Sequence, residues 1–166
     1  RQKFDFDIAY SESCTQTDVY SYFGKSLLKS AIDGVNSTLL TFGRTGSGKT
    51  FSLVGFGEEQ GIIPVFCNDL FTSAEDINHK NGEVKIYCSF FQICDERIQD
   101  LLDVTNTKKV ASVREHPIHG TVVENIAEKA CQNVQDLLAA VEFGFSHRAS
   151  SATSFNVVST RSHAVL

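Results

Sequence analysis

The sequence contains no methionine among its 166 residues. A natural translation product begins with methionine unless it is trimmed, and both ends lie inside apolar patterns, FDFDIAY at the start and HAVL at the finish. Repeats, low-complexity tracts and Pro/Gly/Ser-rich linkers are also absent, which favours one domain or part of one. We therefore expect residues 1–166 to be an internal segment of a larger protein.

Long apolar runs are absent as well. No run approaches the roughly 18 residues that a membrane-spanning helix needs, and the opening RQKFDFDIAY lacks the apolar core of a signal peptide. The five cysteines form no C-x-x-C pair, which disfavours a zinc site or a disulfide framework. A formal charge of −5 with interspersed signs provides no basic stripe for nucleic acid or membrane. These absences predict a soluble intracellular protein with no membrane span and no nucleic-acid partner.

What is present is an alternation of β-prone and helical patterns. The patterns predict strands at residues 4–10, 37–42 and 84–93, and two more within 110–126 around the turn HPIHG. Helical patterns lie at residues 15–34, from 49 onward, at 61–77, at 95–103 and at 133–143, the last closed by Gly144. The final stretch of the sequence predicts a polar loop that is followed by a strand. The alternation predicts an α/β layered fold.

Residues 43–50, GRTGSGKT, match the phosphate-loop pattern G-x-x-x-x-G-K-[ST] in full. Glycines let the backbone curl so that successive N–H groups face anionic oxygens, and a following helix turns its positive end toward them. We expect Lys49 to reach the β- and γ-phosphates of a nucleotide and the Thr50 hydroxyl to bind Mg²⁺. A chance glycine-rich turn is the alternative, which the flanking strand-like and helical patterns disfavour. The predicted nucleotide-binding residues are Gly43, Arg44, Thr45, Gly46, Ser47, Gly48, Lys49 and Thr50.

A second motif, NVVSTRSH at residues 156–163, distinguishes among proteins with such a loop. It resembles N-x-x-S-S-R-S-H, the switch I pattern of the kinesin motor domain. Further matches follow in order: FDFD, T-Q-x-x-V-Y at 15–20, GIIP at 61–64, SFFQICDERIQDLL at 89–102 and G-x-x-x-R-x-x-x-x-T at 144–153. Myosins have a related switch, but there Phe-Gly-Lys follows the arginine. The sequence is therefore identified as similar to a kinesin motor domain over essentially its whole length.

The resemblance implies a P-loop NTPase α/β fold with a central, mostly parallel or mixed sheet flanked by helices. Residues 1–166 would form part of one motor domain, lacking its N-terminal strand and its C-terminal half. The resemblance also implies MgATP hydrolysis coupled to microtubule-based movement in the intact protein, in the cytoplasm and on the cytoskeleton. Tubulin would be the partner, and cargo or adaptors would bind through other regions. Because the family's switch II and neck linker are missing, we expect residues 1–166 alone to have little ATPase activity.

The switch I resemblance implies catalytic roles for Asn156, Ser159, Thr160 and Arg161. In the family, the residue matching Ser159 positions the attacking water, and the one matching Thr160 contacts the Mg²⁺ shell or the γ-phosphate. Asn156 would help to hold the γ-phosphate end of the nucleotide, and Arg161 would form a salt bridge with a switch II glutamate. An ordinary Ser/Thr-rich turn is the alternative for this loop taken alone.

Several residues depart from the family pattern. Arg44 stands where most kinesins have glutamine, and Phe42 where most have tyrosine. In the stretch 89–102, Gln92, Cys94 and Asp95 replace the usual Glu, Tyr and Asn. The departures at Arg44, Gln92 and Cys94 motivate an alternative function: a divergent kinesin-like scaffold or microtubule-binding module with weak nucleotide binding. A P-loop kinase or GTPase is disfavoured by the match of residues 156–163.

Overall fold

The computed structural model describes residues 3–79, 82–105, 110–118, 120–154 and 162–166, without the side chains of 149–154. The chain divides into two compact units, Arg1–Glu75 and Asp76–Leu166. Both units contain helices and strands, as the predicted α/β class requires, although the described strands between Ile86 and Cys131 follow one another without an intervening helix.

The first unit contains the helices that its sequence patterns predict. Helix α1, Gln16–Ile32, begins after Thr15, which forms a capping box with Asp18. Helix α2, Lys49–Leu53, follows the phosphate loop. Strands β1, Gly55–Phe56, and β2, Glu59–Gln60, form a small antiparallel hairpin. Helix α3, Ile62–His79, begins directly afterwards.

Helix α1 is joined to α3 through one buried side chain. The Tyr20 hydroxyl donates to Asp69 Oδ2 at 2.6 Å, and burial together with this hydrogen bond raises the pKa of Tyr20. Gly24, one turn further along α1, leaves space for the ring, because a Cβ there would lie 2.1 Å from it. The glycine thus lets the Tyr20 ring fold along its own helix.

Two predicted strands of the first unit do not form. Residues 4–10 and 37–42 have no regular secondary structure. Their apolar side chains are exposed, with Leu40 and Phe42 at 75% and 83%. An alternating pattern favours a strand, but a strand needs a hydrogen-bonded neighbour. No strand among the described residues pairs with either segment.

The second unit contains most of the strands. In chain order they are β3 Ile86–Cys88, β4 Phe91–Cys94, β5 Arg97–Asp100, β6 Ser112–His116, β7 Gly120–Glu124, β8 Lys129–Cys131 and β9 Ser162–Val165, with helix α4 Val134–Ser154 before β9. Strand β3 pairs with β8, β4 lies between β5 and β9, and β6 pairs with β7. All pairs among the described residues are antiparallel. The parallel part of the expected sheet is therefore not seen in the described part of the chain.

The centre of the second unit is formed by Phe90 and Leu101, which are 1% and 0% exposed. Leu101 N donates to Phe90 O at 2.8 Å, and the Phe90 ring packs edge-on against Phe145 with centroids 5.0 Å apart. Gly144 lies against the same ring, because a Cβ there would be 2.1 Å from it. Helix α4 continues through Gly144, so the prediction that this glycine ends the helix is wrong. Its role is close packing rather than termination.

Two other predictions for the second unit need correction. The long strand expected over 84–93 is divided into β3 and β4, because each half pairs with a different strand. The helical turn expected over 95–103 is wrong: Asp95 and Glu96 adopt φ of 48° and 62°, and the chain reverses into β5 beside β4. The two strands expected within 110–126 are confirmed as β6 and β7.

Candidate functional site

The phosphate loop is bent by its glycines. Gly43, Gly46 and Gly48 have φ of 149°, 80° and 88°, values that side chains on Cα oppose. Ser47 N donates to Arg44 O at 3.2 Å and closes a turn inside the loop. A Cβ at position 43 would lie 2.6 Å from Ser47 Oγ. The glycine spacing of the motif is thus required by the observed backbone.

Lys49 closes over the loop that precedes it. Its Nζ donates to Gly43 O at 2.8 Å and to Arg44 O at 2.9 Å, and the residue is half-buried. An ammonium group has three N–H donors. Two of them hold the loop carbonyls, which leaves the third for an anionic ligand.

Helix α2 begins at Lys49, with Gly48 as its N-cap in the left-handed conformation. No side chain in the described part of the chain caps this end, so its first N–H groups are available to an acceptor outside the helix. Thr50 is exposed in the first turn, and a hydroxyl oxygen of this kind suits the oxygen-ligand preference of Mg²⁺. A cleft of about 220 Å³ lies beside the loop, lined by Leu40, Thr41, Phe42, Ser47, Lys49 and Ser52.

The predicted catalytic residues Asn156, Ser159, Thr160 and Arg161 lie outside the described residues. The structure therefore describes one of the two predicted Mg²⁺ ligands, Thr50. The end of the same motif is described, since residues 162 and 163 enter β9 opposite residues 94 and 93 of β4. The phosphate loop belongs to the first unit and this motif to the second.

Arg148 fixes the start of β9, a role that the sequence alone did not indicate. Its Nη2 donates to the backbone oxygen of Ser162 at 3.1 Å and to Ser162 Oγ at 3.3 Å. Burial lowers the pKa of Arg148, and its buried Nε has no acceptor among the described residues. The available signal was the arginine of the G-x-x-x-R-x-x-x-x-T match, which lies ahead of the switch motif. Arg148 thereby holds the residue that borders the predicted catalytic stretch.

The departures at residues 92, 94 and 95 lie in the β4–β5 hairpin. Gln92 is 1% exposed; its Nε2 donates to Gln99 Oε1 at 2.8 Å, and its buried Oε1 has no partner among the described atoms. Cys94 contacts the Asp95 carboxylate, and Asp95 occupies the turn. All three departures thus lie in the β4–β5 hairpin of the second unit and outside the phosphate loop.

Two features of the described part of the chain bear on other functions. Within residues 3–79, 82–105, 110–118, 120–154 and 162–166, no group of three or more His, Cys, Asp or Glu could hold a metal ion. Among the helices described there, none is both long and apolar enough to cross a membrane.

Comparisons with known proteins agree with the motifs. The sequence model of the kinesin motor domain family matches residues 1–166. The chain is 37% identical to human "Kinesin-like protein KIF14" over 98% of its length and 10% of that protein. It is 35% identical to "Kinesin-related protein 1" of Dictyostelium discoideum over 99% of its length and 8% of that protein.

Two solved structures extend the comparison to the fold. One is a KIF14 dimer bound with AMP-PNP to a microtubule, with a TM-score of 0.72, 37% identity and coverage of 96% of this chain and 44% of that one. The other is a fast kinesin, with a TM-score of 0.84, 30% identity and coverage of 97% and 46%. The chain thus spans a tenth or less of these two curated relatives and under half of the solved chains. The predicted P-loop NTPase fold is confirmed, and the chain belongs to the kinesin motor domain family.

Proposed function

We propose that the intact motor binds MgATP at residues 43–50, hydrolyses it to ADP and phosphate, and couples this cycle to movement along microtubules. The observation that carries the proposal is the phosphate loop itself. All pattern positions are present, the glycines adopt the backbone conformations that the loop needs, and Lys49 holds the loop carbonyls while one N–H remains for a phosphate. Both compact units would belong to one motor domain.

The chain's own residues bind and orient the nucleotide in this proposal. The loop N–H groups and Lys49 neutralise the phosphate charge, and Thr50 would hold Mg²⁺ together with Thr160. When bound, Mg²⁺ stabilises the negative charge that spreads over the phosphate oxygens. Ser159 and Asn156 position the attacking water and the γ-phosphate, and Arg161 closes the site. Catalysis then rests on positioning and charge stabilisation rather than on a covalent intermediate.

The partners in the proposal come from the relatives. The KIF14 dimer was solved with AMP-PNP in complex with a microtubule. We infer the corresponding ligands for this motor, ATP and tubulin, and hence a location in the cytoplasm on the microtubule cytoskeleton. Cargo or adaptors would bind through regions outside residues 1–166.

The alternative is a kinesin-like scaffold that binds nucleotide weakly or not at all. Arg44, Gln92 and Cys94 motivate it, but Gln92 and Cys94 lie in the β4–β5 hairpin, outside the phosphate loop. Arg44 departs from the family within the loop, yet it is exposed and contributes its backbone oxygen to Lys49 and Ser47. The geometry of the loop therefore favours an active ATPase.

The experiment measures steady-state ATP hydrolysis by the intact motor with and without microtubules. We expect stimulation by microtubules, and we expect Lys49→Ala to abolish hydrolysis because the loop loses both its closing contacts and its phosphate donor. Lys25→Ala is the control, since Lys25 is an exposed lysine on α1. A wild-type turnover that microtubules do not raise would contradict the motor function. Residues 1–166 alone should show little or no turnover.

A further inference from the structure

Helix α1 contacts the short helix that follows the phosphate loop. Gln16, the first residue of α1, is half-buried. Its Nε2 donates to the backbone oxygen of Phe51 in α2 at 2.7 Å, across 35 positions of sequence. The hydrogen bond joins two separate elements, and neither of its ends lies in GRTGSGKT.

The position of Gln16 is itself well determined. Thr15 N donates to Asp18 Oδ2 at 2.9 Å, and Asp18 N donates to Thr15 Oγ1 at 3.2 Å. Hydrogen bonds from Thr15 favour the charged carboxylate and lower the pKa of Asp18. Tyr20 lies one turn after Gln16 on the same face of α1 and donates to Asp69 of α3. Helix α1 is therefore anchored at its first turn before it contacts α2.

Helix α2 has only five residues, and none of the side chains that the structure describes caps its N-terminal end. Beyond its C-terminal end, Gly61 N donates to Val54 O at 3.1 Å, and a Cβ at Gly61 would lie 2.5 Å from the Leu53 carbonyl carbon. The half of α2 distant from the loop is thus held by α1 and by the start of α3. Phe51 and Lys49 lie in the same turn of α2, so the position of Phe51 bears on the position of Lys49.

We propose that Gln16 is a positioning residue for nucleotide binding. Its hydrogen bond to Phe51 O fixes the direction in which α2 presents Lys49 and Thr50 to the phosphates. Gln16 acts through α2 and does not itself touch the phosphate loop. The inference rests on the proposed function, because it concerns the same nucleotide site.

The test compares two substitutions at this position in the intact motor. Gln16→Glu keeps the side-chain length but replaces the N–H donor with a carboxylate oxygen that opposes the Phe51 oxygen. Gln16→Lys restores a donor of similar reach. The measurement is the dissociation constant for a fluorescent ATP analogue in the presence of Mg²⁺. We expect Gln16→Glu to weaken binding about three- to tenfold, the range of one hydrogen bond, and Gln16→Lys to bind within about twofold of wild type.

Two control variants separate positioning from general stability. Gln60→Glu makes the same charge change at an exposed position of β2. Ser21→Gly lowers the helical stability of α1 and leaves Gln16 and Phe51 in place. Both should bind the analogue like wild type, while urea unfolding records the stability of every variant.

The outcomes are distinct. Equal binding by wild type and Gln16→Glu would overturn the positioning role and leave the proposed function intact. Weakened binding by Ser21→Gly, in proportion to its lost stability, would show that Gln16 acts through stability alone and would also overturn the inference. A wild-type motor that does not bind the analogue would refute the proposed function and this inference with it.

Discussion

The phosphate loop and the centre of the second unit reach defined conformations by different means. Residues 42–48 are exposed, and their shape comes from positive φ at three glycines and from the contacts of Lys49. Phe90 and Leu101 are almost completely buried, and the Phe90 ring packs against Phe145, which is far away in sequence. The loop is therefore determined by local backbone chemistry, and the centre by tertiary contacts. Substitutions in the loop and at the centre should therefore differ in how far they reduce nucleotide affinity and how far they reduce the free energy of unfolding.

The largest effect is expected at the centre of the second unit. Leu101→Ala removes a fully buried side chain and should lower the free energy of unfolding by about 2–5 kcal/mol. Ile118→Ala is the matched control, because Ile118 is 83% exposed and its truncation should cost less than about 0.5 kcal/mol. Urea denaturation of both variants makes the measurement. Equal losses of unfolding free energy in the two variants would mean that burial does not determine the cost of truncation at these positions.

An intermediate effect is expected in the loop. Gly48→Ala meets no described atom within 4 Å of the added Cβ, but φ is +88°, so the backbone strain should cost roughly 1–2 kcal/mol. Because relief of that strain distorts the loop, binding of an ATP analogue should weaken about tenfold. Gly57→Ala has the same open surroundings and a φ of +59°, but it lies in the β1–β2 hairpin. Gly57→Ala should lose about as much stability as Gly48→Ala but keep its affinity for the ATP analogue. If Gly57→Ala also lost affinity, the effect of Gly48→Ala would not be specific to the phosphate loop.

The smallest effect is expected at Arg44. Its side chain is exposed, and in the proposed ATP site its positive charge would attract phosphate through solvent. Arg44→Gln should weaken binding of an ATP analogue about two- to threefold at low ionic strength and less at high salt, because screening shortens the range of the attraction. Titrations at two salt concentrations measure this. A loss of affinity independent of salt would point to a direct structural contribution from Arg44.

The same contrast explains which features could be predicted from the sequence. The phosphate loop, the capped start of α1 and the helix after the loop depend on neighbouring residues, so their motifs were sufficient. Arg148 and Gln16 were missed as contacts because each acts on a residue of another element. A local sequence pattern does not predict which acceptor a long polar side chain will donate a hydrogen bond to.

The wrong predictions have a tertiary origin. DERIQDLLD has a helical pattern, yet Asp95 and Glu96 turn in the left-handed region so that β5 can pair with β4. Gly144 resembles a helix terminator, but the Phe90 ring uses the space that a side chain would fill. In both places a contact with a distant segment overrides a local preference.

The unpaired segments 4–10 and 37–42 have a consequence for the behaviour of the chain in solution. Each presents backbone N–H and C=O groups beside exposed apolar side chains, Leu40 and Phe42 among them. Exposed backbone groups beside apolar side chains allow pairing with the same segment of another molecule. Purified residues 1–166 should therefore self-associate as the concentration rises, and light scattering at increasing dilution is the way to follow it.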